Sequence, residues 1–309
     1  MSPDQDNNVR AGIDLGGTGV RIVISSEGRE LASLTVPTAS FNPLSQSERV
    51  AKLVGSIREL VPSGKKLLAL GIGASGPVNI RTGVIENEDT LPVFSNFPLV
   101  DELSSAFDLK VHIDNDAVTA ALGEYYLGAG VGSRRMLMVT LGTGIGVALL
   151  IKGRPFRAAD GSHPEAGHIP VSSNPIRCYC GLQGCWECLA SRTWLQRELQ
   201  KLLPDMAYEN QDLPFFRKQC KQDPKVQDVF RRYGRYVGRG LNTLLMLYGP
   251  DITILSGSAA RLYPLYQAGV EESLIRSKGF TVNSNIVQSL LGDAAGAAGA
   301  ALLPPLPPL

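Results

Sequence analysis

The segment 165–187 constrains the fold more than any other part of the chain, because it crowds candidate metal ligands into one short loop. Cys178, Cys180 and Cys185 follow the spacing C-x-C-x4-C, and His168 precedes them. One imidazole and three thiolates match the tetrahedral ligand set of a structural zinc site. We therefore predict that these residues bind Zn²⁺. A disulfide, or a cluster of small buried residues, is the alternative.

Two carboxylates flank the predicted metal ligands. Glu165 precedes the histidine, and Glu187 follows the last cysteine. Gly181 and Gly184 let the backbone turn tightly between the sulfur ligands. A metal ion that held this loop would therefore fix both carboxylates in space.

Composition limits the classes of function that the chain can have. The 309 residues can form two domains, and 44% of them are hydrophobic, which is enough for a full core. A formal net charge of +1 argues against a nucleic-acid partner. The sequence shows neither an apolar run that could span a bilayer nor a signal-peptide pattern. Five cysteines, three of them in the predicted metal site, fit a reducing environment. We therefore expect a cytoplasmic protein without membrane or nucleic-acid partners.

A glycine turn follows the first apolar strand, in the run VRAGIDLGGTG at 9–19. Two further strands are predicted after it, which together form an antiparallel meander. Gly16 and Gly17 can bring backbone N–H groups against a phosphate, and Thr18 adds a hydroxyl. Asp14 would face phosphates bound to a metal ion. A plain tight hairpin is the alternative.

The same theme recurs at 136–153, where strand, glycine turn and strand follow one another. Gly142, Thr143 and Gly144 correspond there to the first Gly-Gly-Thr turn. The two turns are separated by about one domain length. The chain therefore reads as a duplicated α/β unit with a phosphate-binding turn at the head of each half. This duplication strengthens the phosphate interpretation of both turns.

Asn115 and Asp116 lie where a predicted strand ends and the alanine-rich helix 117–127 begins. Asn and Asp are preferred helix N-caps, so capping is one interpretation of this pair. The other is a general base at the carboxyl end of a strand, where α/β proteins bind ligands. Neighbouring residues can divide the two roles between them.

Two further turns of small residues follow predicted strands. The first is the sequence GASGP at 73–77, in which Gly76 could approach a small ligand. The second follows the strand 251–255 and contains Gly257 and Ser258, which would permit the close approach of a purine or ribose. Each turn could instead simply reverse the chain.

Taken together, these motifs resemble those of the ROK family (repressors, open reading frames, kinases), which shares the fold of sugar kinases, hexokinase and the actin-like ATPases. The resemblance covers nearly the whole chain, and its most specific part is the predicted zinc loop. It implies an α/β fold of two actin-like, ribonuclease H-like ATPase domains with a cleft between them. The smaller domain would contain 1–116 plus 292–309, and the larger domain, with the zinc loop, would contain 117–291. The matching motifs are Asp14-Leu-Gly-Gly-Thr18, Gly73-Ala-Ser-Gly-Pro77, Asn115-Asp116, Leu141-Gly-Thr-Gly-Ile-Gly146, Glu165-Ala-Gly-His168, the run from Cys178 to Glu187, and Leu291-Gly-Asp-Ala-Ala-Gly.

The resemblance also implies roles for individual residues. Asp116 would be the catalytic base. The implied sugar contacts are Gly76, Asn115, Asp116, Glu165, His168 and Glu187. The expected nucleotide contacts are Asp14, Gly16, Gly17, Thr18, Gly142, Thr143, Gly144, Gly257 and Ser258. The implied zinc ligands are His168, Cys178, Cys180 and Cys185.

The implied activity is ATP-dependent phosphorylation of a hexose, and we expect the 6-hydroxyl of glucose to be the acceptor, as in a glucokinase. ATP, Mg²⁺ and a structural Zn²⁺ would be the cofactors, and a homodimer or higher homo-oligomer is a family-level expectation. The chain departs from the family pattern at three single positions, and its turn at 256–259 is less glycine-rich than usual. Asp114 stands where Glu is common, Ser75 replaces the first Pro of a Pro-Gly-Pro turn, and Thr90 replaces the Asn of Asn-Leu-Pro. The last change removes an amide near the sugar and keeps kinases for N-acetylmannosamine, fructose, mannose or allose open as alternatives.

Two other functions compete with a kinase. A sugar-responsive repressor of the same family would need a DNA-binding module before the first strand. Only eight residues precede Val9, and the sequence shows no basic patch, so we do not expect this function. A non-catalytic sugar sensor is also disfavoured, because Asp116 and both glycine turns are intact.

Overall fold

The computed structural model describes residues 7–173, 175–208, 211–277 and 279–303. The chain divides into two compact units. Unit 1 contains the described residues up to Gly132, the segment Ala148–Pro164, and the described residues from Leu290 onward. Unit 2 contains the described residues of Ser133–Val147 and Glu165–Ser289. The domain limits expected from the sequence, after residue 116 and before residue 292, stay a prediction.

Strands and helices alternate along much of the chain. The strands are β1 (Asn8–Leu15), β2 (Gly19–Ser26), β3 (Arg29–Pro37), β4 (Lys66–Ala74), β5 (Val78–Asn79), β6 (Val84–Ile85), β7 (Val111–Asn115), β8 (Arg135–Leu141), β9 (Ile145–Ile151), β10 (Arg154–Pro155), β11 (Ile252–Ser256), β12 (Arg276–Ser277), β13 (Phe280–Thr281) and β14 (Ile286–Gln288). The helices are α1 (Gln46–Leu60), α2 (Leu99–Phe107), α3 (Asp116–Leu127), α4 (Trp186–Ala190), α5 (Arg192–Gln200), α6 (Leu213–Gln222), α7 (Pro224–Tyr248), α8 (Tyr263–Ser273) and α9 (Ala295–Ala300). Within the described ranges, each helix is too short or too polar to span a bilayer.

Local capping chemistry sets the limits of several helices. The pattern Ser45-x-x-Glu48 predicts a capping box. The structure confirms it at the start of α1, where the Ser45 side chain accepts from the Glu48 N–H and the Glu48 carboxylate accepts from the Ser45 N–H. The periodic pattern predicts a long helix from residue 229, but α7 begins earlier. Asp223 caps it by accepting from the Lys225 N–H, and Pro224 fits the first helical turn, where no N–H is needed.

The first sheet has the strand order β3-β2-β1-β4-β7. Strands β1, β2 and β3 pair antiparallel, as the predicted meander requires, whereas β4 pairs parallel with both β1 and β7. Apolar side chains such as Ile13, Ile22 and Ile72 are almost fully buried and join one hydrophobic core with α1 and α2. Burial on both faces of the central strands explains their nearly continuous apolar runs.

The second sheet repeats this order as β10-β9-β8-β11-β14. In it, β11 pairs parallel with both β8 and β14, and β10 pairs antiparallel with β9. In the first sheet, β1 precedes the glycine turn and lies between β2, which follows that turn, and its parallel neighbour β4. In the second sheet, β8 lies in the same way between β9 and its parallel neighbour β11. This arrangement confirms the duplication inferred from the two glycine turns.

Helix α9 packs so closely in unit 1 that only small residues fit. A Cβ atom on Gly299 would lie 1.7 Å from the Thr119 carbonyl oxygen on α3, and one on Gly12 of β1 would lie 1.9 Å from the Ala297 oxygen. The buried Glu124 carboxylate ties the segment leading into α9 to the end of α3, because it accepts from the Leu291 N–H at 2.8 Å and the Ala129 N–H at 2.8 Å. The alanine–glycine run at the end of the sequence thus reflects backbone-to-backbone packing.

We expect Gly299→Ala to lower the free energy of unfolding by about 3 kcal/mol, since the new methyl group overlaps a backbone oxygen that cannot move freely. Gly55→Ala on α1 is the matched control, because a Cβ atom there meets no heavy atom within 4 Å. It should stabilise the protein by about 0.5–1 kcal/mol through helix propensity. Chemical denaturation of both variants measures the difference, and equal effects would contradict this account of α9.

Candidate functional site

The parallel strands of unit 1 end together at one edge of the first sheet. Leu15 pairs with Ala74, and Ala74 pairs with Asn115, so β1, β4 and β7 stop at the same level. The residues at or just beyond these ends include Asp14, the turn at 75–77 and Asp116. The structure therefore brings together most of the predicted site residues of unit 1, at the edge where α/β proteins bind ligands.

The structure shows which residue of the pair Asn115–Asp116 caps helix α3. The Asn115 Oδ1 atom accepts from the Ala117 N–H at 2.8 Å, so Asn115 is the N-cap of α3. The Asp116 carboxylate accepts from the same N–H through Oδ1 at 2.8 Å and from the Ser75 hydroxyl through Oδ2 at 2.9 Å. Asp116 is only partly buried. Its carboxylate is therefore held in one orientation while remaining accessible.

A buried ion pair stabilises the residue before this motif. Asp114 is 3% exposed and pairs with the Arg157 guanidinium, which also donates to the Gly161 carbonyl at 3.1 Å. Asp114 further accepts from the Asn115 N–H at 2.8 Å. The pair fixes the junction of β7 and α3 and attaches the segment after β10 to it. Sequence reasoning missed Arg157, because no local spacing links it to Asp114.

Asp14 lies at the same edge in an unfavourable environment for charge. Burial raises its pKa to about 7, and the nearby carboxylates of Asp116 and Asp293 add to the effect, against the opposing charge of Arg21. Helix α9 approaches closely, since a Cβ atom on Gly296 would lie 2.3 Å from an Asp14 carboxylate oxygen. Repelling carboxylates at a shared edge favour the binding of a cation.

The first glycine turn is braced from two sides. The Gly16 N–H donates to the Gly19 carbonyl at 3.0 Å, and the Thr38 hydroxyl donates to the Gly16 carbonyl at 2.6 Å. A Cβ atom on Gly17 would lie 2.7 Å from the Thr90 carbonyl oxygen. The Gly16 N–H is thus already used within the hairpin, and the amides that remain for a phosphate are those of Gly17 and Thr18.

Thr90 belongs to a polar network that leads towards Asp116. The buried Asn87 side chain donates to the Thr90 hydroxyl at 2.7 Å and to the Ser75 carbonyl at 3.2 Å, and it accepts from the Thr90 N–H at 3.0 Å. The Asn87 amide is therefore occupied within the protein. Thr90 itself is exposed, and its hydroxyl can still donate to a ligand.

In unit 2, the predicted zinc ligands come together. One ligand atom from each of His168, Cys178, Cys180 and Cys185 lies within 4.8 Å of the others. The Sγ atoms of Cys180 and Cys185 are 3.6 Å apart, and the Cys178 Sγ atom is 3.5 Å from the His168 Nδ1 atom. Tetrahedral ligands with zinc–sulfur bonds of about 2.3 Å lie about 3.8 Å apart. The cluster therefore fits Zn²⁺, and the cysteines are free rather than joined in a disulfide.

Trp186 anchors this loop to the long helix α7. Its side chain is fully buried, and its Nε1 atom donates to the Tyr236 carbonyl at 2.9 Å. A Cβ atom on Gly240 would lie 2.1 Å from the indole ring. The metal-ligand loop is thus held at one end by packing, independently of any ion.

The metal-ligand loop also carries or adjoins the residues of unit 2 that the sequence predicted as sugar contacts. The Glu187 carboxylate accepts from the Ile145 N–H at 2.8 Å, directly after the second glycine turn. The His168 Nε2 atom, which faces away from the sulfur cluster, lies 3.1 Å from the Tyr179 hydroxyl. Desolvation raises the pKa of Tyr179, and neighbouring charges that include Glu187 and Glu165 raise it further. The Tyr179 hydroxyl therefore contacts His168, one of the groups that we expected to contact a sugar, a position that the sequence did not reveal.

The predicted nucleotide turns of unit 2 adjoin each other. Gly257 has φ +82°, a left-handed conformation that favours glycine, and a Cβ atom there would lie 2.6 Å from the Leu141 carbonyl oxygen. The Ala259 N–H donates to that same oxygen at 3.1 Å. Leu141 directly precedes the turn at 142–144. The structure thus brings the turns after β8 and β11 to one edge of the second sheet.

A sequence model of the ROK family matches residues 10–305. The chain belongs to the ROK family. Its α/β fold is the one expected for that family, as a solved relative shows. A ROK family glucokinase from Streptomyces griseus, solved in complex with glucose and AMPPNP, has a TM-score of 0.78 at 29% identity and covers 96% of this chain and 98% of its own.

Curated relatives of this ROK protein include both enzymes and regulators. A glucokinase of Streptomyces coelicolor is 30% identical over 308 residues, which cover 94% of this chain and 95% of the relative. A xylose repressor of Bacillus subtilis is 28% identical over 246 residues, which cover 79% of this chain and 62% of the relative. The family alone therefore does not decide between catalysis and regulation.

The raised pKa of Asp14 predicts a pH-dependent stability for this ROK protein. Its pKa is about 7 in the folded state, against about 3.9 in an unfolded chain. The folded state therefore holds the proton more tightly, and stability falls as the pH rises from about 4 to about 7. Asp14→Asn removes this loss. Relative to the variant, the wild type should lose up to roughly 4 kcal/mol across this range and then level off. Urea denaturation at several pH values measures the difference, and a flat profile would contradict the assignment.

Cys180→Ser should abolish stoichiometric zinc and lower Tm, because three ligands hold the ion and the loop less well than four. Cys220→Ser on α6 is the control, since Cys220 lies outside the ligand cluster. Metal content by mass spectrometry and Tm by calorimetry give the two readouts. Full zinc content in the Cys180 variant would show that the ligand set is wrong.

Proposed function

We propose that this ROK protein is an ATP-dependent sugar kinase that phosphorylates the 6-hydroxyl of glucose. The observation that supports this most is the Asp116 carboxylate, which is oriented by the Ser75 hydroxyl and the Ala117 N–H and remains partly exposed at the edge where β1, β4 and β7 end. A sensor needs no such base. Family membership and the glucokinase relatives support the same proposal.

Phosphoryl transfer depends on positioning and charge stabilisation more than on covalent chemistry. ATP would supply the phosphoryl group, and Mg²⁺ would neutralise phosphate charge near Asp14. The backbone of Gly17 and Thr18, and the turn at 142–144, would hold the phosphates through N–H donors. Asp116, whose carboxylate accepts from the Ser75 hydroxyl and the Ala117 N–H, would take the proton from the sugar hydroxyl.

Sugar recognition requires several convergent donors and acceptors, because each hydroxyl can both donate and accept. We propose that Gly76, Asn115, Glu165, His168 and Glu187 meet this requirement. The metal-ligand cluster would have no open coordination position, so zinc would be structural and would fix the orientation of His168. Glu187 is positioned by the Ile145 N–H and not by the metal alone.

Thr90 supports a second possibility for the substrate. Its exposed hydroxyl is presented by Asn87, whose amide is fully used within the protein. A hydroxyl at this position offers fewer hydrogen bonds than the asparagine amide common in the family. A ROK kinase for N-acetylmannosamine, fructose, mannose or allose is therefore the alternative, since discrimination between sugars depends on a few hydrogen bonds.

A coupled ATP-consumption assay across hexoses and N-acetylhexosamines tests the proposal. We expect the highest kcat/KM for glucose. A tenfold preference for another sugar would overturn the substrate but support a kinase, and no ATP consumption with any sugar would overturn the kinase itself.

Asp116→Asn is the decisive variant in this assay. It should fold and bind the sugar, because the amide preserves shape, while kcat falls by about 10²–10⁴-fold through loss of the base. Sugar binding by calorimetry and Tm separate lost chemistry from lost folding. Near-full turnover in this variant would exclude Asp116 as the base.

A further inference from the structure

Arg192 lies beside the second glycine turn and is not explained by the sugar site. It is the first residue of α5, and its backbone N–H donates to the Gly142 carbonyl at 2.8 Å. Its Nη2 atom lies 3.3 Å from the Thr143 hydroxyl, and the next residue, Thr193, donates its hydroxyl to the Thr143 carbonyl at 2.9 Å. The first residues of α5 therefore fix the glycine turn at 142–144 through hydrogen bonds. They also place the Arg192 guanidinium beside the Thr143 side chain.

This guanidinium is incompletely satisfied. Its Nε atom is buried and has no hydrogen-bond partner among the residues that the structure describes. Among the described residues, the arginines that form ion pairs are those at positions 21, 157, 231, 232 and 235. A buried donor without a partner is costly, and such groups in native proteins call for a ligand or another specific explanation. Arg192 therefore carries an uncompensated positive charge where an acceptor is missing.

The chemistry of the surroundings favours an anion of the phosphate type. A guanidinium presents planar pairs of N–H groups that match phosphate oxygens. The start of α5 adds the positive end of a helix dipole. The Glu187 carboxylate lies against the same turn, 2.1 Å from where a Cβ atom on Gly144 would be, and it already accepts from the Ile145 N–H. Thr143 is exposed, so the Arg192–Thr143 pair can be reached by a ligand.

We propose that Arg192 binds the phosphate chain of the phosphoryl donor and is a determinant of donor affinity at the turn 142–144. This inference rests on the proposed kinase function, but it concerns a residue that none of the sequence motifs contains. Arg192 contacts the donor and not the sugar. The Nη2 contact to the Thr143 hydroxyl orients the guanidinium beside the turn for this role.

Arg192→Gln should raise the KM for ATP about 10-fold or more, since the variant loses charge-assisted hydrogen bonds to the phosphate chain. The KM for the sugar should change less than about twofold, because a substitution at a residue that does not contact the sugar has only a small effect. Arg192→Lys keeps the charge without the planar fork and should recover part of the ATP affinity. Arg197→Gln, an exposed position on the same helix, is the matched control and should leave both KM values unchanged.

A binding measurement separates donor recognition from turnover. Calorimetric titration with ATP and with inorganic tripolyphosphate should show about 10-fold weaker binding of both to Arg192→Gln, at unchanged Tm. Unchanged binding of both, or a loss confined to ATP, would overturn the proposal, as would equal increases in both KM values together with a lower Tm. If the wild type phosphorylates no sugar but binds tripolyphosphate through Arg192, the kinase proposal fails while the phosphate site stands.

Discussion

The parallel pairing of β1, β4 and β7 is the constraint on which the candidate site of unit 1 depends. Because the three strands end at one level, groups that are far apart in sequence meet at a single edge. The Ser75 hydroxyl can then reach the Asp116 carboxylate, although neither residue has a local reason to contact the other. The second sheet shows the same arrangement. Its strands β8 and β11 pair in parallel, so the two small-residue turns that follow them lie at one edge.

The distribution of negative charge at the first edge follows from this convergence. Asp114 is neutralised by Arg157, so it can be buried just before the motif. Among the described residues, Asp14 forms no such ion pair, and burial with two neighbouring carboxylates raises its pKa to about 7 despite the charge of Arg21. One acid is therefore buried as a paired charge, whereas the other lies where its charged form is disfavoured, which is common at functional sites.

In unit 2, the metal-ligand loop holds functional side chains in fixed positions, as the strand ends do in unit 1. It is fixed by Trp186 packing against α7 and by the close approach of sulfur and imidazole ligands. The His168 ring consequently has one nitrogen towards the cluster and the other towards the Tyr179 hydroxyl. The second nitrogen of His168 is thereby held at the surface of the loop, next to a group that can both donate and accept a hydrogen bond.

The sequence by itself determined the elements whose signals are local. The capping box at Ser45, the meander after β1, the Cys-x-Cys spacing and the strand-to-helix junction at Asn115 each depend on a few consecutive residues, and each is present as predicted. The family resemblance extended this reading to the fold. Only the tertiary structure decided the partners of Asp114, Thr90 and Arg192, and the commitment of the Gly16 amide to its own hairpin. These contacts join residues that lie far apart along the chain or depend on exact backbone geometry. They form only when separate segments pack together, so periodicity and spacing in the sequence do not predict them.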